Sequence, residues 1–449
     1  MSRDALLHAI AVAPEDDTPR LVFADWLDEY GDATDQAHAE LIRAQIELAR
    51  LPLDDDRRAE LCAIDERNRH RVNFPERYHA PPCIGWRLAR GFPERVEFNW
   101  TDARKGRLSE ADLAQMAEAI ERFPIRTFAG DLIGRSRELR GGLELLAEWP
   151  ALARLTALEA TSGIGQYEYR DSFELGLLAL AESPHARGLR RLRFAGWQLS
   201  RDALADVAHG LPQLVELDVI QEDGDDTANE LFDVVLGAPL ADRLERLGCA
   251  WVDLPPLAVR ALLDSAPLRA LAFGVPDESA EGVGPLLGAP GLPGLRELRI
   301  TGEEHGFNVD ERPRDRDRRV IPHLRELLAS PSLAGVEVLS VRGVALGDTG
   351  ARALAESPMA ASLAELDLSL CGLTDAGWLA LRPLLAHGRL RRLQIGHNEL
   401  TPAGAEELAS WPDNGRLHAL DVGYFTELED EGRALLKASP NRHPFLDVT

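Results

Sequence analysis

Aliphatic residues return in a fixed frame along the second half of the chain. Leu363, Leu366 and Leu368 reappear as Leu390, Leu393 and Ile395, then as Leu417, Leu420 and Val422, and upstream as Val336, Leu339 and Val341. Frame starts at 336, 363, 390 and 417 lie 27 residues apart. The alternation inside each frame predicts a short strand with one buried side. A helix-start signal follows, as in Thr374-Asp-Ala-Gly377 and Thr401-Pro-Ala-Gly404, where threonine caps a small-residue first turn and Pro402 takes a tolerated position. Leu379, Leu381, Leu384 and Leu385 then recur at helical spacing, and Gly388 or Pro412 breaks the helix before the next strand.

The frame extends backward through Leu295, Leu268, Leu244, Leu214 and Leu189, and in looser form through Leu155, Ile125 and Pro93. That makes twelve units with starts 24 to 41 residues apart, more regular toward the C-terminus. One strand–helix unit cannot bury its apolar side alone, so stacked units must share a core. The expected fold class is α/β, with parallel strands on a concave face and helices on a convex one.

The Leu390 unit, continuing with Asn398, Leu400, Gly404 and Leu408, resembles the leucine-rich repeat of the ribonuclease-inhibitor type, LxxLxLxxN/CxLxxxGxxxL. The Leu363 unit has Cys371 in the Asn slot, then Leu373, Gly377 and Leu381; the Val336 unit has Val344, then Leu346, Gly350 and Leu354. Earlier units lose the slot, Trp197 being one example. The resemblance implies a solenoid. By analogy of fold it also implies a protein-binding role, of which an inhibitor or immunity-like one is a case.

Residues 1–85 follow a different pattern and are expected to form a small helical domain ahead of the solenoid at 86–449. Asp4 to Ala13 reads as a first helix. Leu21, Phe23, Trp26, Leu27 and Tyr30 mark a second, capped by Asp17 or Thr18 and ended at Gly31. A third spans about Gln36 to Leu51, with Ala39, Ile42, Ile46 and Leu48 as its apolar stripe, and a fourth covers Asp56 to Arg69. The runs from Pro14 to Leu27 and from Ala39 to Leu51, with the exit Trp86-Arg-Leu-Ala-Arg-Gly-Phe-Pro-Glu-Arg-Val96, are similar to the bacterial repeat-companion domain. That resemblance implies no known activity. Ala33 to Gln36 reads as a loop insertion relative to it.

Charge and cysteines narrow the function. The formal charge of −25 repels nucleic-acid phosphates and anionic lipid; it either favours a basic protein partner or only keeps the molecule soluble. No stretch reaches the roughly eighteen apolar residues of a membrane span. The acidic N-terminus does not read as a secretory signal, and the expected compartment is the cytoplasm. Cys62, Cys83, Cys249 and Cys371 lie far apart with no CxxC pair, so neither a zinc site nor a disulfide framework is expected.

Candidate catalytic groups have plainer readings. Asp16, Asp17, Asp25, Asp28 and Glu29 beside Arg20 suit helix capping and ion pairing better than an acid/base site. Gln221 to Asp226 lacks the spacing of a calcium loop. The charge-dense insertion 302–319 is either a mobile loop or a binding element. No GxSxG, HExxH or phosphate-cradling motif occurs, so neither cofactor nor catalytic residue is expected.

The better functional candidates are the third, fifth and seventh positions of each unit, whose side chains face away from the core. They supply Arg191, Arg193, Glu216, Asp218, Arg246, Glu297, Arg299, Arg342, Glu365, Asp367, Arg392 and Asp421, with Trp100 and Trp251 one position further on. Trp149, Trp378 and Trp411 fall on the helical side, as core. The expected function is a non-enzymatic protein-binding scaffold. An enzyme with an acidic site in the helical domain and a structural or assembly role are the alternatives.

Overall fold

A computed structural model describes residues 2–72, 74, 84–98, 110–131, 142–161, 170–195, 199–220, 227–249, 256–275, 283–287, 292, 294–302, 321, 323–411, 417–423, 429–439 and 447–448. The chain forms two compact units. The first comprises Met1–Pro52, Glu60–Glu222 and Gly237–Arg243; the second comprises Leu53–Ala59, Asp223–Leu236 and Leu244–Thr449.

The first unit opens with helices α1 (Arg3–Val12), α2 (Thr18–Tyr30), α3 (Ala33–Arg50) and α4 (Arg57–Val72), the start of α4 falling in the second unit. Asp32 and Asp35 form a reciprocal capping box that starts α3 at Ala33. Residues 33–36 are therefore the first turn of a helix and not an inserted loop. The start of α2 is secured by the Asp16 carboxylate, which accepts from the Thr18 amide at 2.8 Å; Asp17 makes no such bond. Phe23 and Leu27 are fully buried, whereas Tyr30, expected in the same stripe, is 65% exposed.

Strands β1 (Ile84–Ala89) and β2 (Phe92–Phe98) form an antiparallel hairpin where the sequence suggested only a connector. Its turn residues Arg90 and Gly91 both have positive φ, 51° and 83°. Helix α3 holds this turn: Gln45 Oε1 accepts from the Gly91 amide at 2.6 Å, and His38 Nε2 lies 2.7 Å from the Gly91 carbonyl oxygen. A Cβ at residue 91 would fall 2.2 Å from Ile42, so glycine is required twice over.

From β2 the unit continues in parallel through β3 (Thr127–Asp131), β4 (Ala157–Thr161), β5 (Arg191–Ala195) and β6 (Glu216–Ile220). Helical segments such as Glu110–Arg122, Arg170–Glu182 and Arg201–Gly210 separate the strands. Val96, Phe128, Leu158, Leu192 and Leu217 stand in register and are all at most 1% exposed.

The second unit repeats this plan through β7 (Arg246–Cys249), β8 (Ala270–Val275), β9 (Glu297–Gly302), β10 (Val338–Arg342), β11 (Glu365–Asp367), β12 (Arg392–Gln394), β13 (Ala419–Asp421) and β14 (Asp447–Val448), all parallel. Its core row runs Leu247, Leu271, Leu298, Leu339, Leu366, Leu393, Leu420, each at most 2% exposed. Cutting one such leucine to alanine costs about 2–5 kcal/mol. Trp378 and Trp411 are buried on the helical side, as Trp149 is in the first unit. Leu379 is exposed, because the chain bends at Leu381 between helices Asp375–Ala380 and Arg382–His387, the latter started by Pro383.

Two polar ladders join successive coils of the second unit. Buried Asn398 accepts from the amides of Cys371 and Leu373 at 3.0 and 3.1 Å and donates to the carbonyls of Leu368 and Ile395 at 2.9 and 2.7 Å. The Cys371 thiol takes the same slot one coil earlier and donates to the Val341 carbonyl. Further out, Asp348 accepts from the amide and hydroxyl of Thr374, and Asp375 from those of Thr401, at 2.6–3.0 Å. Each threonine caps its own helix while an aspartate of the preceding coil grips it. The glycines that follow leave room: a Cβ at Gly377 or Gly404 would sit 2.3 or 2.2 Å from those carboxylates.

Candidate binding face

Alternate residues of the parallel strands point away from the core row and form an exposed face on each unit. In the first unit, exposed Arg191 and Arg193 on β5 stand between Ala157 and Glu159 on β4 and Glu216 and Asp218 on β6, all in register. Arg95 extends past β3, where Thr127 is its own register neighbour and Ala129 that of Glu159, and pairs with Glu159 on β4 at 2.7 Å. Glu97 lies 3.6 and 3.7 Å from Arg87 and Arg95.

The second unit repeats that device. Arg246 on β7 passes Ala270 on β8 to meet Glu297 on β9 at 2.8 Å, and Arg299 closes on the same carboxylate at 2.5 Å. Burial pushes the Glu297 carboxyl up. Hydrogen bonds from Arg299 and Arg246, with their charges, more than offset that and hold it below the ordinary glutamate value. Glu365 stands opposite exposed Arg392, and Arg342 opposite Thr301. Asp367 accepts from the Ser340 hydroxyl at 3.2 Å and the Ser369 amide at 2.9 Å; Asp421 accepts from the Gly423 amide at 2.8 Å. Trp100 and Trp251 lie outside the described residues, as do 303–320 and 221–226.

Sequence reasoning passed over Arg87, Arg95, Glu97 and Glu159, because the first units keep the leucine frame only loosely. With them the charges balance. The first face carries Arg87, Arg95, Arg191 and Arg193 against Glu97, Glu159, Glu216 and Asp218. The second carries Arg246, Arg299, Arg342 and Arg392 against Glu297, Glu365, Asp367 and Asp421. Among side chains the structure describes, the acidic excess of the chain does not sit on the strand faces.

A family model for the leucine-rich repeat matches residues 361–381 and 390–409, the coils that carry both polar ladders. These are leucine-rich repeats. The leucine-rich-repeat α/β fold accounts for the parallel strands and the outer helices, with a helical region at the N-terminus. No curated protein matches the chain. Among solved structures, the chain is similar to one from the yeast Rad7–Elc1 complex, at 17% identity over 76% of this chain and 88% of that one, with a TM-score of 0.42. A Bacteroides fragilis protein matches at 17% identity over 57% and 72%, with a TM-score of 0.37. An internalin of Listeria monocytogenes matches at 15% over 69% and 78%, with a TM-score of 0.33.

The acidic residues of the N-terminal helices are engaged structurally. Asp17 pairs with Arg50 at 2.5 Å and lies 3.4 Å from Arg90; Arg43 bridges Asp25 and Asp28 at 2.7 and 2.8 Å. Arg20, fully buried, donates to Glu94 at 2.9 Å and to the Asp16 carbonyl at 3.0 Å. Among the described residues, no group of three or more His, Cys, Asp or Glu could hold a metal ion, and no helix is long and apolar enough to cross a membrane.

Proposed function

We propose that the chain is a non-enzymatic, cytoplasmic protein-binding scaffold, with repeats of the ribonuclease-inhibitor type following a bacterial repeat-companion domain over residues 1–85. The partner docks on the strand faces, through Arg191, Arg193, Glu216, Asp218, Arg246, Trp251, Glu297, Arg299, Arg342, Glu365, Asp367, Arg392 and Asp421. The supporting observation is the fixed register of exposed, charge-balanced rows on hydrogen-bonded strands, with Arg193 between Glu159 and Asp218 and Glu365 beside Arg392. Such a surface is preorganised, so little side-chain freedom is lost on docking. Its alternating charges select a partner of complementary pattern, while the net charge of −25 speeds encounter with a basic one.

The test begins with the partner that the intact chain captures from its source cell. Its affinity is then measured for Arg191→Glu/Arg193→Glu and for Glu365→Lys/Asp367→Lys, each checked for an unchanged melting curve. Binding should weaken tenfold or more in at least one pair. Unaltered affinity in both would remove the strand faces as the docking site.

A further inference from the structure

The solvent side of α2 carries a feature that packing does not require. Val22 is 46% exposed and Tyr30 65% exposed, and Trp26 is half-buried between them at four-residue spacing. The three make one stripe along the helix. The stripe is anchored from below: Trp26 stacks on buried Phe23, with centroids 6.1 Å apart, and Tyr30 leans on Trp26 at 5.7 Å. Phe23 in turn meets Phe92 at 5.6 Å and His38 at 6.0 Å. The exposed rings are therefore held in place.

Carboxylates line this stripe. Asp25, Asp28 and Glu29 share the exposed side of α2. Arg43 bridges Asp25 and Asp28, and the Asp25 side chain remains 77% exposed. The neighbouring Glu29 carboxylate, through side-chain hydrogen bonding and its charge, pushes the Tyr30 hydroxyl above the ordinary tyrosine value. Aromatic faces and carboxylates both attract cations, and large exposed rings rimmed by charge mark interaction sites.

We propose that the Val22–Trp26–Tyr30 stripe of α2 is a second docking surface, which takes a basic protein segment by stacking an Arg or Lys side chain on the rings and seating an aliphatic side chain on Val22. Charge complementarity selects this occupant. A second copy of the chain would set Asp25, Asp28 and Glu29 against their own kind, and an anionic membrane would meet the same repulsion. The strand faces balance their charges, so the acidic excess that draws a basic partner lies elsewhere, and this stripe is one place that displays it. The proposal does not depend on docking at the strand faces.

The test uses the full chain at 0.15 M NaCl and three fluorescent 18-residue peptides, read by anisotropy. One is amphipathic Arg/Leu, one is Arg/Ser of equal charge, and one is Glu/Leu. The Arg/Leu peptide should bind saturably and at least tenfold more tightly than the other two. Tyr30→Lys and Val22→Lys, exposed positions whose change leaves the melting curve in place, should each weaken it at least tenfold. Arg191→Glu/Arg193→Glu should leave it unchanged. Equal binding by the Tyr30→Lys chain, equal binding of the Arg/Ser peptide, or loss of binding only in the strand-face variant would each overturn the proposal. Tyr30-dependent dimers in light scattering, or Tyr30-dependent binding to phosphatidylserine vesicles, would replace it with self-association or membrane docking.

Discussion

One methyl group tests how closely successive coils interlock. Gly404 opens a helix, where alanine would gain about 1 kcal/mol in propensity. Its Cβ, however, would lie 2.2 Å from the Asp375 carboxylate, which two bonds from Thr401 hold in place. Gly404→Ala should therefore destabilise the chain, by about 1–3 kcal/mol, the usual cost of overpacking. In an Asp375→Ala background the same change should be neutral or stabilising; thermal melts of the double-mutant cycle separate the two cases. Glu297 gives a pH counterpart. Its carboxyl titrates below the ordinary glutamate value, so its contribution is complete above that value and is lost as pH falls through the lower, folded one. Glu297→Gln should lower stability near neutral pH and flatten the acid limb of a urea-midpoint profile. The site is partly open to water, so the effect stays below about 1 kcal/mol. A steeper acid limb in the variant would contradict the arrangement.

Elements show where a lost side chain costs most. Asn398 satisfies two amides and two carbonyls inside the stack, and Asn398→Ala would leave all four buried without it. A loss of about 3 kcal/mol or more is expected, against about 1 kcal/mol for Cys371→Ala, whose thiol is a weaker hydrogen-bonding group set against the Val341 and Ser369 carbonyls. Burial also pushes the Cys371 thiol far up, so it should resist alkylation until the chain unfolds, while exposed Cys62 reacts at once; mass spectrometry of the native protein tells them apart. These coils were legible in the sequence because the aliphatic frame repeats at a strict 27-residue interval. The earlier ones were blurred because Phe128, Phe194 and Phe273 take core positions where the frame leads one to look for leucine. The β1–β2 hairpin was hidden for a local reason: its left-handed turn uses Arg90 where asparagine is the usual signal. The strand-face positions could be read from alternation alone. That Arg95 and Arg246 would extend two strands to reach Glu159 and Glu297 could not, since it depends on the small register neighbours Ala129 and Ala270 between them. Tyr30 fits the helical period of a buried stripe, and only the packing of α2 shows it turned outward.

At the scale of the whole molecule, the net charge and the charge pattern do different work. An excess of 25 negative charges acts over a Debye length, about 8 Å at physiological salt, whereas the rows around Arg193 or Glu297 act on contact. A basic partner should therefore associate faster at low salt, with its rate constant falling roughly tenfold or more as ionic strength rises from about 0.02 to 0.5 M, while its dissociation rate changes little. Arg191→Glu/Arg193→Glu should do the reverse. It moves the net charge from −25 only to −29, yet removes the positive row between Glu159 and Asp218, so it should quicken dissociation and leave the salt slope of association nearly intact. Stopped-flow kinetics on the captured partner measure both rates. If the salt slope instead collapsed in that variant while dissociation stayed constant, the strand face would be steering its partner and not holding it, and the contact surface would have to lie on another part of the chain.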